Sequence, residues 1–384
     1  NEEKLVEIQK ITFDELQQFI KDLWAGGIFA ETLVQGNFTR SEAEGFSHLF
    51  ETKFEDFKQI EAVPKLQLYV LKEPLKNFVT LGDPGNINSC IEYYIEVGDV
   101  AGDNLRVLTD LVATIAQEPC FNQLRTKEQL GYVVFSSTRS TRTEVGYRIL
   151  IQSERTTDYL EYRIEEFLVK FGKYVDKLLQ EEFDGFKKAL KAKKLTKLKN
   201  LSEETNRFWK HITDGYYDFA AHEKHVEILE GVTLNQFQEF YRKFISVLGG
   251  NDKRLVVHLQ LQSPLEQPKA KLVQSAAINH LYEEDYEFED VDEIIDANAD
   301  ATFAELAAKI IESIREQNDI TDVSGASKKL ADALSLRTAQ PVPSEYPKGK
   351  KVTLSEFKKS ADLGAVPTPV KPLLEFHLSE DSHL

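Results

Sequence analysis

A motif that occurs twice constrains the fold of this chain more than any other feature. Ile11-Thr12-Phe13-Asp14-Glu15-Leu16-Gln17-Gln18-Phe19 recurs as Val232-Thr233-Leu234-Asn235-Gln236-Phe237-Gln238-Glu239-Phe240. In each copy a threonine is followed three residues later by Glu15 or Gln236, the capping-box pattern that opens a helix. Each helix leads to a glycine pair, Gly26-Gly27 or Gly249-Gly250, and then to a predicted strand, residues 31–35 or 255–259. The copies start 221 residues apart, which predicts two homologous domains of that size. The first is cut, so that residues 1–60 are the tail of one domain and residues 61–384 the whole of the next.

Within the second domain, strands are expected near 67–72, 77–82 and 89–97, then a helix over 102–117 and a hairpin of Tyr132 to Ser140 with Glu144 to Ser153. Helical spacing follows near 157–178, 181–199 and 203–213, as in Leu160, Ile164, Phe167, Leu168 and Phe171. The fold class is therefore α+β, an antiparallel sheet with helices packed on one face. The hydrophobic share, 41% of 384 residues, is enough for a large core. Two cysteines, Cys90 and Cys120, argue against a disulfide framework and for a reducing compartment. No apolar run is long enough to span a membrane.

Glu118-Pro119-Cys120-Phe121-Asn122-Gln123-Leu124-Arg125-Thr126-Lys127-Glu128-Gln129-Leu130-Gly131-Tyr132 is the stretch with the most chemistry. Pro119 suits a first helical turn, and Gly131 suits a left-handed residue past a helix end. Arg125 would then sit on a helix and Tyr132 at the start of a strand. A guanidinium and a phenol held by two rigid elements can donate to a peptide carbonyl and to the charge that it gains during hydrolysis. The structural alternative pairs Arg125 with Glu128 and half-buries Tyr132 in the sheet.

The wording of this stretch resembles the signature of the C-terminal half of the insulin-degrading enzyme family, the inverted-zincin M16 peptidases. Leu33-Val34-Gln35-Gly36-Asn37, Ser89-Cys90-Ile91-Glu92-Tyr93-Tyr94 and Val370-Lys371-Pro372 resemble further segments of that family, and the likeness lapses only near 262–345. The resemblance implies M16-type domains, one partial and one complete, in halves that enclose a chamber. It implies that Arg125 and Tyr132 hold the substrate main chain beside the zinc, and that Phe121 lines an apolar pocket for a substrate side chain. It also implies a partner, the N-terminal half that carries the zinc, with peptides as substrates and a homodimer as the assembly in many members.

These peptidases bind zinc through His-x-x-Glu-His, and no such pentad occurs here. His222-Glu223-Lys224-His225 is the nearest approach, with the wrong spacing. No metal ligand is expected in this chain, and zinc is expected in the other half. The expected function is the substrate-binding half of a zinc endopeptidase, inactive alone; a catalytically silent scaffold or peptide-binding module is the alternative.

Lys187, Lys188, Lys191, Lys193, Lys194, Lys197 and Lys199 form a basic stripe that suits a solvated helix face or a polyanion. The family resemblance implies a polyanion such as ATP at Lys193, Lys194, Lys197 and Lys199. Nucleic acid is not expected, given a net charge of −17 and no stacking platform. Ten carboxylates between residues 283 and 300 open the stretch without family likeness, which reads as an acidic appendage inserted at 262–345 with helices near 302–316 and 326–336. The final Ser382-His383-Leu384 is similar to a peroxisomal address; the cytoplasm is otherwise expected.

Overall fold

The computed structural model describes residues 2–61, 63–82, 86, 88–260, 269–338, 342–343 and 349–373. The tripeptide Ser382-His383-Leu384 lies outside the described residues. Two compact units form: residues 1–67, 196–220 and 366–384 in the first, and 68–195 and 221–365 in the second.

The first unit contains α1 (Glu2–Ile8), α2 (Phe13–Ala25) and α3 (Arg40–Lys53). The capping box of Thr12 and Glu15 is present at the start of α2, and Thr39 with Glu42 opens α3 in the same way. The strand expected at 31–35 does not form. A strand needs a neighbour for its backbone groups, and among the described residues only an isolated bridge, Ile28 with Gln59, occurs nearby. The side chains there turn to the later part of the unit instead: Gln35 Oε1 accepts from Thr205 Oγ1 at 2.7 Å, and Glu31 accepts from the Tyr217 hydroxyl.

The second unit begins with β1 (Tyr69–Val70), β2 (Leu75–Thr80) and β3 (Ser89–Asp99), then α4 (Asp103–Phe121). The hairpin β4 (Val133–Ser140) and β5 (Glu144–Ser153) follows, then α5 (Thr157–Lys177) and α6 (Gln180–Lys194). Helix α7 (Leu201–Asp214) belongs to the first unit. The second resumes with α8 (Ala221–Gly231), α9 (Leu234–Phe240) and β6 (Arg254–Gln260).

Six strands make the main sheet in the order β4-β5-β3-β6-β2-β7, the last being β7 (Lys350–Lys351). The pairs β4–β5, β5–β3 and β3–β6 are antiparallel, as expected. The far side departs from that pattern: β2 runs parallel to both β6 and β7, so the sheet is mixed. Reading the sequence locally puts β2 beside β3, but β6 arrives much later in the chain and inserts between them. Along β3 the residues Ile91, Tyr93, Ile95 and Val97 alternate into the core. There they share burial with Val107, Leu111 and Ile115 of α4 and Leu160, Ile164 and Leu168 of α5.

The acidic stretch is more ordered than an appendage with a mobile surface would be. It forms α10 (Lys269–Glu283), α11 (Val291–Asp296), α12 (Phe303–Ile314) and α13 (Val323–Thr338). Val273, Ala277, Leu281, Ile310, Ile311 and Leu330 are buried in a core of their own, with Tyr286 and Phe288 packed against it. The carboxylates alternate with these apolar residues, so the charged side chains face water while the chain folds.

Candidate functional site

The signature stretch does not start a new helix at Pro119. Helix α4 runs through Pro119 to Phe121, and Asn122–Lys127 continue it as a π-helical turn closed by Glu128 N–H donating to Gln123 O at 3.0 Å. Such widened turns are rare and concentrate where a backbone serves a site. Gly131 is not the left-handed residue; Gln129 is, with φ 46°. The glycine is needed for a close approach instead, because a Cβ at Gly131 would lie 2.0 Å from the Gln152 carbonyl oxygen of β5.

Side chains fix this turn from three directions. Glu128 accepts two hydrogen bonds from Arg163 of α5, at 2.6 and 2.7 Å, and one from Gln123. Burial works against the charge on Arg163, yet the hydrogen bonds and charge of Glu128 hold its pKa above the ordinary value. Ser153 donates to the Leu130 carbonyl and accepts from Arg155 N–H at 3.0 Å. Arg155 in turn donates from Nη2 to Ser275 Oγ at 2.6 Å, and Ser275 donates to the Glu128 carbonyl at 3.1 Å. Burial lowers the pKa of Arg155.

Glu128 is therefore engaged by Arg163 and is not the partner of Arg125. Arg125 instead donates from Nε to the Tyr132 carbonyl at 3.2 Å, with its guanidinium carbon 5.7 Å from the centre of the Tyr132 ring. Tyr132 is 87% exposed, which excludes the half-buried strand aromatic. Arg125 and Tyr132 share one cavity of about 400 Å³, whose other walls include Asn88, Glu154 and Gln274. Tyr132 immediately precedes β4, an edge strand of the sheet.

Phe121 lines a different cavity of about 370 Å³ with Thr114, Gln117, Val134 and Phe135. Its ring is half exposed, as an apolar wall for a guest requires. Thr114, Gln117, Phe135 and Ser136 also line a third cavity of about 470 Å³, into which Arg106, Lys193, Lys194 and His222 project.

The lysine stripe is divided. Lys187 donates to the Glu230 and Val232 carbonyls, and Lys191 pairs with the Glu230 carboxylate. Lys193 and Lys194 reach the third cavity, where Lys194 Nζ already holds Asp110 Oδ2 at 2.6 Å. Lys197 and Lys199 fall in the first unit. His225 is buried, with Nε2 3.1 Å from Asp103 Oδ1, and the part-buried His222 at the start of α8 has Nδ1 3.3 Å from the Lys194 carbonyl. Burial, then Arg106 and Lys194, push the His225 pKa down.

Among the described residues, one set of three groups has the spacing of metal ligands: Asp158 and Glu161 of α5 with His258 of β6. It does not fit a resident zinc. Lys76 Nζ lies 2.6 Å from a Glu161 oxygen, so an ammonium already occupies the cation's place, in a site where Glu161 and His258 are shut off from water.

Comparison with known proteins places the chain among related sequences and folds. A family model described as PQQ synthase PqqF-like, C-terminal lobe domain 4, matches residues 111–209, which include the π-helical turn and Tyr132. The A-factor-processing enzyme of Saccharomyces cerevisiae is 37% identical over 265 residues, covering 68% of this chain and 25% of that protein. Human insulin-degrading enzyme is 31% identical over 257 residues, covering 66% of this chain and 25% of the enzyme. A crystal structure of pitrilysin superposes with a TM-score of 0.52 at 19% identity over 60% of this chain and 24% of that one, a likeness of fold. The chain belongs to the M16 peptidase family. Its homologues there are the insulin-degrading enzymes and their relatives, and it spans about a quarter of the length of those curated proteins.

Sequence reasoning singled out Phe121, Arg125 and Tyr132 but not Arg155, Gln274 and Ser275, which line the same cavity as Arg125 and Tyr132. The apolar spacing of Val273, Ala276, Ala277 and Leu281 was a signal for α10, overshadowed by the acidic run that follows it.

Proposed function

We propose that this chain is the substrate-holding part of an M16 endopeptidase that cleaves peptides with water activated in another part of the enzyme. The observation that carries this reading is the convergence of Arg125 and the exposed Tyr132 on one cavity, on a turn locked by Glu128, Arg163, Ser153 and Ser275. M16 peptidases are zinc-dependent in general. Zinc would supply the activated water from a half with the His-x-x-Glu-His motif, which this chain lacks.

The residues here perform the other tasks. The Arg125 guanidinium can donate to a substrate carbonyl while its Nε braces the Tyr132 backbone. The Tyr132 hydroxyl, unobstructed by the fold, can donate to the oxygen that gains charge as the peptide bond is attacked. Phe121 offers an apolar wall to a neighbouring side chain. Catalysis of this kind depends on donors fixed before the reaction, and the locked turn provides them.

The first unit supports the partial-domain reading. The second copy of the repeat buries Phe237 and Phe240 to 0% and 4% exposure, whereas α2 has no buried residue and exposes Phe13, Phe19 and Leu23 by 57% or more. We take residues 1–60 as the tail of one M16-type domain and the second unit as the core of the next. A second reading, binding of a polyanion such as ATP, is favoured by the cavity that Arg106, Lys193 and Lys194 enter, although the ligand would have to compete with Asp110.

The test combines this chain with an M16 half that carries His-x-x-Glu-His and follows cleavage of a quenched fluorescent peptide. Tyr132→Phe should lower turnover by something on the order of 10²–10³, with thermal stability unchanged because the ring is exposed. Unchanged turnover in a folded complex would contradict the assignment. Charge reversal at Lys193, which unlike Lys194 has no acidic partner among the described residues, should weaken any effect of ATP on the same assay without changing the basal rate.

A further inference from the structure

We infer that the inserted helical bundle is part of the substrate site: Gln274 determines specificity, and Ser275 is a positioning residue for the Arg125 turn. This inference rests on the peptidase reading above and goes beyond it.

Helix α10 has two faces with different work. Val273, Ala276, Ala277 and Leu281 point into the bundle's own core. Gln274 and Ser275 lie between these positions and line the cavity of Arg125 and Tyr132. A helix that served only to cap a surface insertion would have no need to send polar side chains into a cleft outside its bundle.

Ser275 is 4% exposed and uses its hydroxyl twice, accepting from Arg155 and donating to the Glu128 carbonyl. Glu128 ends the π-helical turn that carries Arg125, so the bundle grips the end of that turn through one hydroxyl. A main-chain carbonyl held this way has little freedom to shift, and an arginine three residues earlier inherits that fixity.

Gln274 adds two donors and one acceptor to a cavity whose lining also includes Asn88, Glu154 and Arg125. The Phe121 cavity also has polar walls, Thr114, Gln117, Glu118 and Ser136, but there a guest would meet the part-exposed rings of Phe121 and Phe135. The class of group that fits is a hydrogen-bonding substrate residue, such as one with a carboxamide or hydroxyl side chain. The Phe121 cavity suits an apolar one. This subsite would add a preference to that of the Phe121 cavity.

The experiment measures kcat and KM for two peptides that differ only in a Gln-for-Leu exchange beside the scissile bond, using this chain combined with the His-x-x-Glu-His half. Gln274→Leu should lower kcat/KM for the Gln peptide by roughly tenfold or more relative to the Leu peptide, as expected when a buried hydrogen-bonding partner is lost. Gln274→Trp should block both. Glu312→Trp, on α12 and away from the cavity lining, should change neither. Ser275→Ala should lower kcat with little change in KM and speed amide hydrogen exchange at residues 128–132, and Ser275→Thr should restore both.

Unchanged selectivity in Gln274→Leu and unchanged rates in Gln274→Trp, with Arg125→Ala and Tyr132→Phe still impaired, would overturn the inference and leave the peptidase reading intact. Unchanged rates in Arg125→Ala and Tyr132→Phe as well would overturn both.

Discussion

At Gly131 the backbone comes so near β5 that a single methyl group has no space. A Cβ there would meet the Gln152 carbonyl oxygen at 2.0 Å, a rigid backbone atom rather than the end of a flexible side chain. Gly131→Ala should therefore destabilise the second unit by roughly 1–3 kcal/mol, read from chemical denaturation. It should also lower activity, because Tyr132 is the next residue. A stability equal to that of the parent chain would show that the strand can move aside. The sequence was readable here only in part. The sequence suggests a left-handed conformation for Gly131, which Gln129 adopts instead. Close approach between strands is a tertiary property that no local pattern encodes. The placement of Arg125 on a helical turn and of Tyr132 just before a strand was legible from local pattern; the clamp of Arg163 on Glu128 was not, since 35 residues separate the partners.

The hairpin of β4 and β5 has a pH response built into its turn. Burial raises the Glu144 carboxyl from 4.5 to about 7, with Glu96 and Asp99 adding to the rise and Lys253 opposing it. A carboxyl whose pKa is higher folded than unfolded binds its proton more tightly in the folded state. Its contribution is fully present below pH 4.5 and is lost as the pH rises through about 7. Glu144→Gln should remove that loss, so that the difference in Tm between pH 5 and pH 8 shrinks relative to the parent chain; an unaltered difference would exclude Glu144 as its source. The hairpin itself was evident from alternating residues, and so were most helices. The strand expected at 31–35 failed because its propensity met no partner, and the parallel pairing of β2 with β6 was hidden by the long connection between them. In the inserted bundle, Ile310→Ala should cost about 2–5 kcal/mol, seen as faster hydrogen exchange across α12 and α13. Equal exchange there would mean that the bundle's core does not depend on tight packing.

On the scale of the whole molecule, the proposal is that the chain holds a peptide for zinc chemistry carried out elsewhere in the enzyme. The chain's candidate metal cluster of Asp158, Glu161 and His258 already has Lys76 as its cation. Helix α2 exposes Phe13, Phe19 and Leu23. The most direct measurement is cleavage of a quenched fluorescent peptide by this chain alone, by a His-x-x-Glu-His half alone, and by the two together, each with and without a zinc chelator. The account predicts cleavage above the level of either part only in the mixture, lost on adding chelator and reduced by Tyr132→Phe. A folded, zinc-loaded mixture that cleaves no better than its parts, or that is indifferent to Tyr132, would contradict it.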